Sequence, residues 1–198
     1  REHQRPLVFV PVYLGYEKLL EGKTYLRELA GKPKEKESLW ALLQSVRKIH
    51  KEYGRVHINF GEPMDLESFL SSCRPNAPHD APSDWSREAT RQAAIALATR
   101  LNDSAVITPI NLIALTLLAT PQHTADENVL QRMLAHYQAL TVEAPYAPHT
   151  VACPLTPPEI IAYALRLGSA RRVPHPLGDL IGIPNGSAPL LTYFRNNV

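Results

Sequence analysis

Between Ser104 and Thr124 the chain carries no Asp, Glu, Lys or Arg. A stretch without charge has to leave water, into protein or into lipid. A spanning helix needs about 20 predominantly apolar residues. Here the apolar core runs only from Ile110 to Ala119, and Ser104, Thr108, Pro109, Asn111, Thr116, Pro121 and Gln122 dilute the rest. The segment is therefore expected to be a helix buried in protein, spanning Val106 to Ala119 and disturbed near Pro109. Membrane contact is then peripheral, or made by parts outside this chain.

Composition agrees with a protein interior around that helix. Of 198 residues, 44% are hydrophobic and 20% charged. This is the balance of a folded globular protein and not of a disordered one. The length suits one domain, or a domain with an appended lobe. The net charge is +2, and no Lys/Arg block is long enough to track a phosphate backbone, so no nucleic acid partner is expected. Cys73 and Cys153 stand far apart, with no CxxC and no Cys/His cluster. Two reduced thiols, with no metal site and no disulfide framework, are expected.

The first third reads as strand, loop, helix, strand. LVFVPVY at 7–13 is a buried strand with Pro11 near its end or at an edge. A short helix is expected around 23–29, then a polar loop, GKPKEKES. Ser38 is a good N-cap for an amphipathic helix whose Leu39, Leu42, Val46, Ile49 and Tyr53 recur at helical spacing. Gly54 ends it. RVHINF at 55–60 alternates and reads as a second strand. Asp65 caps a short helix to about Ser72. Such a crossover unit predicts a parallel or mixed sheet covered by helices.

RPNAPHDAPSD at 74–84 is a proline-rich break and marks a lobe boundary. Beyond it, 86–102 is an Ala-rich helix with Ile95, Leu97 and Leu101, and the charge-free helix follows. Thr124 and Glu127 have capping-box spacing and open a helix to about Leu140. Thr156, Pro157 and Glu159 repeat the device, and Gly168 ends that helix. At the C-terminus, LIGIP, an Asn185-Gly186 turn and PLLTYF read as a β-hairpin. The start at Arg1, without an initiator Met or signal peptide, and the finish on TYFRNNV both read as cuts in a longer polypeptide.

Generic catalytic motifs are missing: there is no G-x-S-x-G, P-loop or G-x-G-x-x-G. His79 and Asp84 do form H-x4-D. In glycerolipid acyltransferases a His at that spacing is the general base and the Asp orients its imidazolium. We reject the match, because His79 sits among Pro75, Pro78 and Pro82 without the apolar scaffold that would fix such a pair. His57 on the second strand, His136 on a helix and His175 between two prolines have no partner at useful spacing.

VFVPVYLGYE at 8–17 resembles the fourth conserved block of the glycerolipid acyltransferases, an apolar strand carrying Val-Pro. GKPKEKESL at 31–39, RVHINFGEPMDLESFL at 55–70 and LLTYFRNN at 190–197 follow in the family's order. The ordered set is similar to the bacterial membrane-associated glycerol-3-phosphate acyltransferase family, and INFGEP favours that branch over the peroxisomal dihydroxyacetone-phosphate one. The resemblance is dense over about 8–70 and 177–198 and thinner between.

The resemblance implies transfer of an acyl chain, from acyl carrier protein or a coenzyme A thioester, to the 1-hydroxyl of glycerol 3-phosphate. No cofactor is implied beyond that co-substrate. The family's catalytic H-x4-D and Arg-rich phosphate block precede the fourth block, so no catalytic residue is expected in this chain and it should be inactive alone. Val10, Pro11 and Val12 match the substrate-shaping block, and Tyr16 and Glu17 its closing residues. An apolar strand with Pro can wall an acyl tunnel without offering a donor, or simply be a core strand. Lys34 and Lys36, with Lys32, are candidates for attracting a phosphate or an acidic carrier, although Glu35 and Glu37 nearly cancel them. Arg195 and Asn196, with Asn197, either fix a substrate-side loop or pin the C-terminal hairpin.

The expected fold is α/β. Residues 1–73 form the C-terminal part of an acyltransferase α/β core, 74–85 a linker, 86–176 a helical lobe, and 177–198 a hairpin returning to the core. The incomplete sheet should leave exposed apolar surface and make the isolated chain poorly soluble or oligomeric. The expected location is peripheral, on the cytoplasmic face of a bacterial inner membrane. The alternative is a non-catalytic module that docks acyl carrier protein or the membrane surface through the lysine loop and the basic face of the 39–53 helix.

Overall fold

The computed structural model describes residues 6–19, 53–73 and 83–197. The chain forms two compact units, Arg1–Leu14 with His57–Val106 and Tyr146–Val151, and Gly15–Val56 with Ile107–Pro145 and Ala152–Val198.

In the second unit the charge-free segment becomes helix α3, Pro109–Leu118, and Ile110, Leu112, Ile113, Ala114 and Leu117 are fully buried. Pro109 starts the helix and does not disturb it. Its missing N–H would have had no intrahelical partner there. Thr108 is the N-cap: its Oγ1 accepts from Asn111 N–H, while Asn111 Oδ1 accepts from Thr108 N–H at 2.7 Å. Thr116, also buried, donates its hydroxyl to the Leu112 carbonyl within the helix. The buried Thr108 and Thr116 hydroxyls of this apolar segment are thus paired within one turn.

Three further helices pack on α3. Helix α4, Glu127–Glu143, contributes Leu130 and Leu134. Its N-cap is Asp126, whose Oδ1 accepts from Asn128 and Val129 N–H. This corrects the expected Thr124–Glu127 capping box, since Thr124 lies in a strand instead. Asp and Thr both cap, and the residue adjoining the first turn prevails. Helix α5, Pro157–Leu167, starts as expected, with the Glu159 carboxylate accepting from Thr156 N–H and Oγ1. It ends at Gly168, at φ +77°. Helix α6, Ala188–Arg195, buries Leu191 and Phe194 against α3.

The expected C-terminal β-hairpin at Asn185-Gly186 is not formed. Gly186 does turn the chain at φ +73°, but into α6, with Pro at its first turn. Leu191 and Phe194 lie on one helical face, and their burial on α3 overrides the β-propensity of TYF. The hairpin lies earlier in the chain. Strands β5 (Thr124–Asp126), β6 (Arg171–Val173) and β7 (Leu180–Gly182) make an antiparallel sheet of order β5-β7-β6, with Ile181 fully buried at its centre.

The N-terminal strand is split. Strand β1 is Val8–Phe9 and β2 is Val12–Tyr16, on either side of Val10-Pro11. Strand β1 pairs antiparallel with β4, Met64–Asp65. Strand β2 pairs with β3, Val56–Phe60. Glu17 N–H donates to the Arg55 carbonyl and Gly61 N–H to the Pro11 carbonyl, so these two strands are also antiparallel. The expected parallel or mixed sheet is corrected accordingly, while the α/β class holds. Helix α1, Leu66–Cys73, is capped by Asp65 Oδ1, which accepts from Ser68 N–H at 2.8 Å. Helix α2 is Ser83–Asp103. In this first unit Val12, Leu14, Ile58 and Phe60 are all exposed, Phe60 at 68%. Among the described residues, no helix is long and apolar enough to cross a membrane.

Asn111 also joins helices: its Nδ2 donates to the Phe194 carbonyl at 2.7 Å, in the interior. Replacing Asn111 by Ala strips a buried carbonyl and the N-cap amide of their partners. It should lower unfolding free energy by about 2 kcal/mol, read by denaturant titration, with the Thr116→Ala change costing less.

Candidate functional site

In the first unit an apolar groove of about 440 Å³, open to solvent, lies along α1 and α2. Phe9, Leu66 and Leu70 wall one side. On α2, Trp85, Ala89, Ala93 and Leu97 recur every fourth residue, which puts them on one helical face toward the groove. Ala89 is buried at its floor. Arg100 donates to the Glu62 and Pro63 carbonyls, and Asn59 Nδ2 to the Ser104 carbonyl at 3.0 Å. A Cβ at Gly61 would stand 2.5 Å from Ser104 Oγ and 3.0 Å from the Arg100 carbonyl, so only glycine allows the chain this close to α2.

In the second unit Glu17 is 1% exposed. Its Oε2 accepts from Arg55 N–H at 2.6 Å and from the Tyr163 hydroxyl. Gly54, at φ +74°, lies against the carboxylate, where a Cβ would come within 2.8 Å of Oε2. Next in sequence, Lys18 Nζ donates to the Leu167 carbonyl at the end of α5. The Tyr163 phenol is pushed up to about 12, first by burial and then by its hydrogen bond to Glu17. Burial likewise raises the Cys153 thiol, leaving little nucleophilic thiolate.

The sequence-predicted residues fall in different settings. Val10 is exposed between β1 and β2, Pro11 is buried, and Val12 and Tyr16 are exposed on β2. Arg195 and Asn196 end α6 on the surface, where the guanidinium donates to Asn196 Oδ1. What fastens α6 is the Phe194 carbonyl together with the buried Leu191 and Phe194 side chains. Lys32, Lys34, Lys36, the 39–53 helix and His79 lie outside the described residues, as does most of the 74–85 break. Among the described residues, no group of His, Cys, Asp and Glu could hold a metal ion. Two features escaped the sequence reading. The groove was signalled by the Trp85-Ala89-Ala93-Leu97 spacing, whereas the Glu17–Tyr163 contact, 146 residues apart, had no local signal.

A family model described as glycerol-3-phosphate acyltransferase C-terminal region matches residues 25–198. The chain is 44% identical over 204 residues to the glycerol-3-phosphate acyltransferase of Xanthomonas campestris pv. campestris, covering 100% of this chain and 23% of that protein. It is 41% identical to the protein of the same name from Xylella fastidiosa (strain M12), and 40% identical to that from Pseudomonas aeruginosa (strain LESB58), covering 24% of each. The chain thus spans about a quarter of the length of these relatives.

The Glu17 anchor has a pH signature. The neutral Tyr163 phenol is favoured by the fold, so the stability it supplies is complete below its usual 10.0 and lost as pH rises through about 12. Tyr163→Phe should cost about 1–3 kcal/mol at neutral pH and flatten the fall in stability between pH 10 and 12. An unchanged alkaline slope would remove Tyr163 from this role. Gly54→Ala should destabilise by a similar amount, through its left-handed φ and its contact with Glu17.

Proposed function

The chain belongs to the glycerol-3-phosphate acyltransferase family, and we propose that it is part of an enzyme that moves an acyl chain from a thioester to glycerol 3-phosphate in phospholipid synthesis. The observation that carries this reading is the match of the whole chain to proteins of that name at 40–44% identity. The donor is a thioester of acyl carrier protein or of coenzyme A. In this reading the chain supplies apolar walls and support, and residues elsewhere in the longer protein supply the general base that deprotonates the acceptor hydroxyl. The candidate substrate-site residues in this reading are Val10, Pro11 and Val12 of the apolar block, with Tyr16, Lys34, Lys36, Arg195 and Asn196 as the polar candidates. Glu17 serves from within, by accepting from the Arg55 N–H and the Tyr163 hydroxyl.

We place the enzyme peripherally on the cytoplasmic face of a bacterial inner membrane. Exposed Val12, Leu14, Ile58 and Phe60 support an apolar surface that needs covering by another part of the protein. The alternative reading, a docking module for acyl carrier protein or the membrane surface, rests on the lysine loop and the 39–53 helix, which lie outside the described residues.

The test is acyl transfer by the full-length protein against the 198-residue chain alone. Purified full-length protein should acylate glycerol 3-phosphate at its 1-hydroxyl, measured with radiolabelled acceptor, while the isolated chain should give no turnover above buffer. Turnover by the isolated chain would return His79 to the position of general base. In gel filtration the isolated chain should associate, and an Ile58→Thr, Phe60→Thr double change should shift it toward monomer.

A further inference from the structure

We propose that Asn185 is a modification site, deamidated spontaneously by attack of the Gly186 main-chain nitrogen and activated for it by the Arg171 guanidinium. The site is the turn between β7 and α6, and it does not depend on the acyltransferase reading.

Asn is thermolabile because the next backbone nitrogen can attack its side-chain amide. In that reaction the Gly186 nitrogen gives its proton to solvent base and bonds to Asn185 Cγ. The Cγ–Nδ2 bond breaks, and ammonia leaves with a proton taken from water. The product is a cyclic succinimide. Water opens the ring at either carbonyl, giving Asp or an isoaspartate with an added methylene in the main chain. Water is consumed overall and ammonia released. A side chain on the attacking residue crowds this step, and glycine has none. In this chain Asn185 is the only Asn followed by Gly.

The turn makes the attacking nitrogen available. Asn185 and Gly186 are exposed, so water reaches both. Ser187 N–H donates to the Pro184 carbonyl at 3.1 Å and closes the turn around them. The Gly186 N–H has no acceptor among the described residues, so no hydrogen bond has to break before its nitrogen reacts. Gly186 stands at φ +73°, with open space where a Cβ would lie.

Arg171, on β6, activates the other partner. Its Nε donates to the Ile183 carbonyl at 3.1 Å and its Nη2 to Asn185 Oδ1 at 2.9 Å. That amide oxygen carries the negative charge of the tetrahedral intermediate. A fixed cation on it withdraws electrons from Cγ and stabilises the charge as it develops. The Asp product then keeps the same guanidinium as a charge-assisted partner. Asn128 supplies the contrast within the same unit. It is exposed too, but the following residue is β-branched Val129, whose N–H already donates to Asp126 Oδ1 at 3.2 Å.

The experiment ages the full-length protein in mildly alkaline buffer and follows the peptides containing Asn185 and Asn128 by mass spectrometry. Replacement of the amide by a carboxyl is read from the mass gain, and fragmentation separates Asp from isoaspartate. Asn185 should convert at least on the order of tenfold faster than Asn128, given the missing side chain and the unbonded nitrogen. Gly186→Ala should slow the conversion. Arg171→Gln should slow it on the order of tenfold, the worth of a hydrogen bond from a charged group to the developing oxyanion, and Arg171→Lys should restore part of the rate. Thermal melts run alongside. Conversion at Asn185 no faster than at Asn128 overturns the proposal. An unchanged or faster rate in Arg171→Gln also overturns it, since the guanidinium would then be idle or would restrain the amide. If Arg171→Gln does not fold, Arg171→Lys and the ratio of Asn185 to Asn128 in the unmodified protein still decide.

Discussion

Helix α3 is the part of the second unit on which the other elements depend. It has no charge to keep it in water, so it is stable only while α4, α5 and α6 cover it. Burying one Leu or Ile side chain is worth about 1.5–3 kcal/mol, and α3 has four of these fully enclosed in Ile110, Leu112, Ile113 and Leu117. Apolar burial alone has no direction. Asn111 supplies it, reading the position of α6 through the Phe194 carbonyl and closing its own N-cap with the same side chain. One buried amide thus fixes both where α3 begins and where α6 ends.

Helix boundaries were the most legible feature of the sequence. Their causes are local: Thr156-Pro157 and Glu159, Gly168, and Asp65 before α1 act within one turn. Two errors were local, the cap placed at Thr124 in place of Asp126 and the disturbance expected at Pro109, and the larger ones came where a distant surface decides. PLLTYF has the composition of a strand, yet the apolar face of α3 takes Leu191 and Phe194 at helical spacing. Strand direction was equally hidden. Two β-rich runs separated by a helical pattern suggested a crossover, and only the Glu17–Arg55 and Pro11–Gly61 bonds reveal antiparallel pairing.

The same division applies to the candidate site. The apolar run carrying Val10, Pro11 and Val12 stood out as a strand of special composition, and its resemblance to a known block pointed to acyl transfer. The groove was half legible, since four residues spaced by four on α2 define a face but do not say what that face leaves empty. The anchoring role of Glu17 was invisible. A lone acid at a strand end gives no hint that a tyrosine in a helix much later in the chain will donate to it, or that a left-handed glycine will make room for it.

Strands β2 and β3 carry a consequence for where such proteins are divided. The recognisable C-terminal region starts at residue 25, whereas β2 and Glu17 precede it. The statistical edge of the family and the physical edge of the folded unit therefore disagree by at least one strand. A polypeptide trimmed to the family boundary would keep β3 with a bare hydrogen-bonding edge, and would keep Tyr163 and Gly54 around a hole shaped for a carboxylate no longer present. Homology would call that piece whole, and thermodynamics would not.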